Sequence, residues 1–82
     1  MEQESPTLSF GQKAVGLSFN PSNLPEVDAI KKVFGEAIDI LNDLRAKAQE
    51  AGNIGAVRHL AVAITETESA QMRGVKGATW KD

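Results

Sequence analysis

The stretch NIGAVRHLAVAITETESAQMRGVK, residues 53–76, decides the fold because it reads as one long helix with three different faces. At roughly 100° per residue, one side gathers apolar residues and predicts a core face. The members of this core face are Val57, Leu60, Ala61, Ile64, Met72 and Val75. A second side carries small residues that allow another backbone to come close, namely Ala56, Ala63, Thr67, Ala70 and Gly74. A third side carries cations and hydroxyls, namely Arg58, Thr65, Ser69 and Lys76. Three such faces predict an oligomer with polar pockets between its subunits.

Another amphipathic helix, which comes first along the chain, is predicted for residues 24–51. Its apolar arc covers roughly 160° of the helical wheel, which is wider than one antiparallel partner can cover. We therefore expect Val33, Ile40 and Leu44, at one edge of the arc, to contact either the N-terminal segment or another subunit. Gly35 inside this helix costs about 1 kcal/mol relative to Ala, which favours close packing at that position over a glycine that is merely tolerated. The polar residues opposite the arc are expected in solvent: Asp28, Lys32, Glu36, Asp39 and Asp43.

The connection between the two helices is short. Gly52 supplies the left-handed residue that ends the first helix, and Asn53 can cap the second. A loop of this length forces an antiparallel helical hairpin. The second helix is expected to end near Lys76, where Gly74 and Gly77 weaken it.

The segment before the hairpin predicts a turn and an extended head. Asn20-Pro21-Ser22-Asn23 has turn composition, and Asn23 is predicted to cap the first helix in a capping box with Glu26, with Pro25 in the first turn. Upstream, Val15, Leu17 and Phe19 alternate with small residues, which is typical of an extended segment. The predicted fold is all-α: an antiparallel helical hairpin with a short extended head. We divide the chain into an arm and head, residues 1–23, and a hairpin for oligomerisation and ligand binding, residues 24–82.

Composition narrows the functional classes. A chain of 82 residues buries only about 60–65% of its unfolded surface, so we expect a partner. Cysteine is absent and His59 is the single histidine, so disulfides, thiol chemistry and a multi-histidine metal centre are excluded. We expect no catalytic residues, no metal and no cofactor.

The charge balance and hydropathy exclude further partners. A net charge of −2 argues against binding of DNA or RNA polymers, although a small anion needs only one or two local cations. No segment approaches the roughly 20 apolar residues of a membrane span, so no membrane partner is expected. The segment MEQESPTLSFGQK lacks the basic flank and apolar run of a signal peptide.

The pattern AVGLSFNPSNLPEVDAIKKVFGEAIDILNDLR, followed by AITETESAQM, VK and ATW, resembles the anti-CBASS sponge proteins of phages. Their helical hairpin is shared with the anti-Thoeris sponges, and the resemblance covers about residues 10–80. It implies a homo-oligomer, a hexameric bundle of hairpins, that binds cyclic oligonucleotides without cleaving them. Cyclic dinucleotide and trinucleotide signals would thereby be sequestered in the cytoplasm of the host bacterium before they reach their effectors.

The resemblance also implies two kinds of ligand site. For cyclic dinucleotides, the aromatic residue and asparagine before the first helix correspond to Phe19 and Asn20, and the lysine early in that helix corresponds to Lys31 or Lys32. We prefer Lys31, because it borders the apolar arc whereas Lys32 points to solvent. Phe19 in place of a tyrosine keeps the stacking face and loses the hydroxyl.

For cyclic trinucleotides, the resemblance implies Arg58, Thr65 and Thr67. The chain departs from many relatives by carrying Arg73-Gly74 where they have Trp-Ala. This departure puts in doubt any pocket that the tryptophan lined.

Each assignment has a structural alternative. Phe19 could pack the head, Arg58 could be an ordinary exposed charge, and Thr65 could bond its own helix. Glu68 and Gln71 interrupt the core face, and we expect them to reach across the oligomer to polar partners. The alternative function is a structural or regulatory hairpin oligomer that binds a protein partner. A nuclease acting on the same signals is a third hypothesis, disfavoured by the absence of metal ligands.

Overall fold

A computed structural model describes residues 7–81, and every element in that range is helical. Helix α1 spans Phe10–Val15, α2 spans Pro25–Glu50 and α3 spans Ile54–Ala78. The predicted all-α hairpin is confirmed, with α1 packed mainly on α2. Within this range no helix has both the length and the apolar composition that crossing a membrane requires.

Helices α2 and α3 form the antiparallel hairpin. Gly52 has a φ of 71°, and the side chain of Asn53 accepts a hydrogen bond from the Ala56 amide at 3.2 Å. At the far end, a Cβ built on Gly74 would lie 3.6 Å from Cγ2 of Ile30, so the end of α3 meets the start of α2. The predicted roles of Gly52 and Asn53 are confirmed. Helix α3 continues past Lys76, with both of its C-terminal glycines inside it.

The head is not extended, and that prediction is wrong. Ser9 and Gln12 form a capping box in which the Gln12 amide donates to Ser9 Oγ at 3.0 Å and the Ser9 amide donates to Gln12 Oε1 at 2.9 Å. Gly16, with a φ of 64°, then ends α1. The apolar alternation from Val15 onward therefore spans a helix end and its turn rather than a strand.

Two glycines and one carboxylate fix α1 on α2. A Cβ on Gly11 would overlap the carbonyl oxygen of Gly35, whereas a Cβ on Gly35 would lie 3.4 Å from the Gly11 carbonyl oxygen, an ordinary van der Waals contact. The close packing expected at Gly35 is present, but the residue that has to be a glycine is Gly11 of α1. Asp39 accepts hydrogen bonds from Ser9 Oγ and from the Gly11 amide, each at 2.7 Å. The prediction that Asp39 faces solvent is therefore wrong, because its carboxylate satisfies donors that the start of α1 leaves open.

Helix α2 begins differently from the prediction. Leu24 is its N-cap residue and makes no side-chain capping bond, whereas Asn23 lies outside the helix with a φ of 58°. The side chain of Asn20 organises this end instead, because Nδ2 donates to the Leu24 carbonyl and to Asp28 Oδ1, each at 3.0 Å. The predicted capping box at Asn23 is wrong, and the predicted place of Pro25 in the first turn is confirmed.

The core is small and lies where the three helices meet. Val15, Ile38 and Ile64, one from each helix, form its buried cluster. By contrast, Met72 of the predicted core face is 61% exposed. Among residues 7–81, four hydrophobic residues are buried and nine large ones remain exposed, so much of the apolar surface has no cover within one chain.

The exposed set includes one edge of α2. Val33 and Ile40 are each 62% exposed and Leu44 is 45% exposed. Of the two covers predicted for this edge, the described part of the head, residues 7–23, leaves these side chains open to solvent. Contact of this edge with another subunit stays a prediction.

Candidate functional site

Phe19 and Lys31 are brought together where the turn after α1 crosses α2. Lys31 is only 4% exposed, and its ammonium donates to the carbonyl oxygen of Gly16 at 2.9 Å and to that of Phe19. The same Nζ lies 5.3 Å from the centroid of the Phe19 ring. Burial of Lys31 and exposure of Lys32 confirm the predicted difference between the two lysines.

This geometry gives each partner a defined role. An ammonium has three N–H donors, and two of those of Lys31 hold the turn through its carbonyl groups. Within residues 7–81 the third donor has no hydrogen-bond partner. The Phe19 ring is 69% exposed although its backbone is held, so one face can receive a planar group while the cation lies close by.

A cavity of about 430 Å³ opens beside this pair. Phe19 and Lys31 line one side, and Met72 and Val75 of α3 line the other. Lys13, an exposed residue of α1, adds a second cation to the lining. The cavity thus offers an aromatic face, apolar walls and two ammonium groups, which suits a ligand with planar rings and negative charge.

Asn20 lies beside this cavity without lining it. Its amide nitrogen is committed to Leu24 and Asp28, and its Oδ1 accepts from Ser22 Oγ at 2.8 Å and from the Asn23 amide at 3.0 Å. Its polar atoms therefore fix the turn that presents Phe19.

The residues predicted for the second site do not converge within one chain. Thr65 Oγ1 donates to the Ala61 carbonyl at 3.3 Å, and Thr67 Oγ1 donates to the Ala63 carbonyl at 2.7 Å. Arg58 is exposed and lies two turns from Thr65 on the same face. Thr67 is about 180° around the helix from Arg58. A shared pocket for Arg58 and Thr67 would need side chains from two copies of α3.

Two residues that line the cavity were missed as ligand-binding residues by the sequence analysis. No sequence pattern marks Lys13 as a cavity residue, because its position in the lining depends on α1 being helical. Gln71 does have a sequence signal, since it interrupts an apolar face, but that signal predicts contacts across the oligomer as readily as a place in a cavity. In the structure it is 4% exposed and lines the same cavity as Phe19 and Lys31.

A second groove, of about 390 Å³, lies between α1 and α2. Lys32 lines it together with the carboxylates of Asp28, Glu36 and Asp39, so the groove carries more negative than positive charge. It is therefore the poorer candidate for an anionic ligand. Among residues 7–81, no three histidine or acidic side chains come close enough together to hold a metal ion.

Comparison with known protein families identifies the chain by its hairpin. The family model described as the Acb2/Tad1 hairpin domain matches residues 12–79 of the 82-residue chain. The match takes in α2 and α3 completely and α1 from Gln12 onward. No curated protein and no solved structure matches the chain.

Proposed function

This chain belongs to the Acb2/Tad1 hairpin family, the anti-CBASS and anti-Thoeris sponges, and from that premise we propose that it sequesters cyclic oligonucleotides without cleaving them. Its ligands are cyclic dinucleotides, cyclic trinucleotides or both. Removing them in the cytoplasm of the infected bacterium blocks a CBASS-type antiviral response.

The observation that carries this proposal is the cavity shared by Phe19 and Lys31. A cyclic dinucleotide presents two planar bases and two phosphate charges, so its site needs aromatic faces and cations. Stacking of a base on an aromatic side chain contributes about 1–3 kcal/mol. The exposed ring of Phe19 supplies the face, and the free donor of Lys31 together with Lys13 supplies the charge.

Assembly completes the site in this proposal. One chain contributes one ring at this cavity, whereas a two-fold axis duplicates the ring and its lysines for the second half of the ligand. The uncovered edge of α2, formed by Val33, Ile40 and Leu44, supports a homo-oligomer. The number six follows from the resemblance to the phage sponges.

The cyclic trinucleotide site is also proposed to form between subunits. Arg58 and Thr67 lie on opposite faces of α3, so they can meet only when two or more copies bring different faces together. Thr65 keeps a hydroxyl lone pair available after donating to its own helix, and it can accept a hydrogen bond from a ligand or from a neighbouring arginine.

Titration of the purified chain with cyclic dinucleotides and trinucleotides tests the proposal. We expect saturable binding by calorimetry, and heating the complex should release each ligand intact. Phe19→Ala should weaken cyclic dinucleotide binding at least about 5- to 150-fold, the equivalent of one stacked base, because a two-fold site loses a ring at each of its two bases. Phe10→Ala is the matched control, because that ring lies over Arg45 and outside the cavity. Binding of no cyclic oligonucleotide, or recovery of cleaved product, would contradict the proposal.

A further inference from the structure

Gln71 combines deep burial with an unused amide. The residue is 4% exposed on α3, and within residues 7–81 its side chain makes no hydrogen bond. Buried side-chain amides are normally paired, because an amide without a partner gives up its hydrogen bonds to water and gains none in return. An unpaired amide at this depth therefore requires a reason.

The amide is not sealed inside the protein. In the described part of the chain, no side-chain nitrogen or oxygen is both shielded from solvent and without a hydrogen-bond partner. Since Gln71 has no partner, its polar atoms must remain accessible, and the cavity that the residue lines is the route to them. Its carboxamide is therefore open to whatever enters between Phe19, Lys31 and Val75.

We propose that Gln71 reads the base of a nucleotide stacked on Phe19, and that it selects adenine. This inference rests on the proposed function. A carboxamide carries one acceptor oxygen and two N–H donors side by side. Adenine presents a matching pair, the N6 amino donor beside the N7 acceptor, and this pairing with glutamine is well known from nucleic-acid recognition. Guanine presents two acceptors, O6 and N7, along the same edge and leaves the glutamine oxygen facing another oxygen.

The surroundings of Gln71 support direct readout of a base. The cavity walls next to it include the apolar side chains of Met72 and Val75, which do not compete for the hydrogen bonds of a base. The two cations of the cavity, Lys13 and Lys31, suit the phosphates and carry no information about the base. Within this cavity, Gln71 is thus the side chain whose donors and acceptor can distinguish one purine from the other.

Substitution of Gln71 by methionine provides the test. Gln71→Met keeps the length and approximate volume of the side chain and removes both its donors and its acceptor. We expect the dissociation constant for cyclic di-AMP to rise at least about 5- to 150-fold, the range for loss of one bidentate contact, because a two-fold site loses such a contact at each of its two adenines. The constant for cyclic di-GMP should change less than about twofold, so the preference for adenine disappears. Gln49→Met is the matched control, because Gln49 is an exposed residue of α2.

A change on the ligand gives the same test with the wild-type protein, should the variant fail to fold. Cyclic di-IMP replaces the 6-amino donor of adenine with a carbonyl oxygen and leaves the phosphates unchanged. We expect it to bind wild type as weakly as cyclic di-AMP binds Gln71→Met. Equal affinity of wild type for cyclic di-IMP and cyclic di-AMP would overturn the inference.

The outcomes also separate this inference from the proposed function. If the wild-type protein binds no cyclic nucleotide, both the proposed function and the role of Gln71 are contradicted. A wild-type protein that binds them, with an adenine-to-guanine ratio that Gln71→Met leaves unchanged, removes only the role of Gln71. A variant with a smaller solution mass and an unchanged ratio assigns the amide to another subunit and likewise overturns the inference.

Discussion

The segment from Ser9 to Leu24 and the stretch of α3 that contains Thr65 and Thr67 use their polar groups in opposite ways. In the head, side chains of α2 hold distant backbone: Asp39 holds the start of α1, and Lys31 holds the turn after it. On α3, Thr65 and Thr67 bond only their own helix, four residues back. One chain therefore holds its own half of the proposed Phe19 site in place, whereas the proposed Arg58 site requires other copies for any convergence of its residues. Substitutions in the head should therefore change mainly the stability of the chain, whereas substitutions at Thr65 and Arg58 should change mainly ligand binding.

The largest loss of stability is expected from Gly11→Ala, because the added methyl group would overlap the carbonyl oxygen of Gly35. Forcing the two helices apart should lower the free energy of unfolding by about 1–3 kcal/mol, measured by urea denaturation at fixed protein concentration. Gly55→Ala is the control, since nothing lies near that position. The control should be neutral or stabilising by up to about 1 kcal/mol. Equal behaviour of the two variants would mean that α1 is not docked on Gly35.

Asp39→Ala should have the next largest effect. It removes the acceptor of two hydrogen bonds and leaves the Gly11 amide without its partner. A buried donor left unpaired costs about 1–3 kcal/mol, which a shift of the urea midpoint would report. Asp43→Ala, an exposed carboxylate on the same helix, is the control and should change stability by less than about 0.5 kcal/mol.

Asn20→Ala should weaken the start of α2 by about 1 kcal/mol, the usual net contribution of a hydrogen bond that is lost. Its amide bonds the Leu24 carbonyl and Asp28, so a loosened turn should also reduce the affinity for a ligand stacked on Phe19. Ser22→Ala, which removes a single exposed hydrogen bond of the same turn, is the milder comparison. If Asn20→Ala and Ser22→Ala lose the same small amount, Asn20 does not organise this end.

Thr65→Val should have the smallest effect on stability, within about 0.5 kcal/mol, because the threonine is exposed and bonds only its own helix. Binding of a cyclic trinucleotide should nevertheless fall in calorimetric titrations, while cyclic dinucleotide binding stays unchanged. A loss of binding of both cyclic trinucleotides and cyclic dinucleotides would show that the two ligands share one site. Arg58→Ala should repeat the pattern, since that side chain is also exposed.

The hairpin could be predicted from the sequence because its signals are local. The wide apolar arcs, Gly52 and Asn53 each act within one or two turns of helix, and the structure confirms both caps. The pairing of Phe19 with a lysine at the edge of the arc followed from the family resemblance together with helical geometry.

The head could not be predicted because its conformation is set by residues far away in sequence. Ser9 and Gly11 donate hydrogen bonds to Asp39, which lies 30 and 28 residues away in sequence. A helical wheel shows Asp39 only as a polar residue opposite the core. The alternation of Val15, Leu17 and Phe19 suggested a strand, but the capping box at Ser9 and the left-handed Gly16 favour a short helix and a turn. Lys13 lies on α1, so an extended segment in place of this helix predicts neither the position of Lys13 nor the cavity that it lines.

The clamped ammonium of Lys31 has a consequence for how binding responds to ionic strength. A charge at the protein surface is screened within about 8 Å at physiological salt, whereas a buried charge is screened much less. Lys13 is exposed and its attraction for phosphate should fade as salt is added, but Lys31 is buried and held in place before any ligand arrives. The site should therefore capture ligands more slowly at high salt and yet keep hold of those already bound.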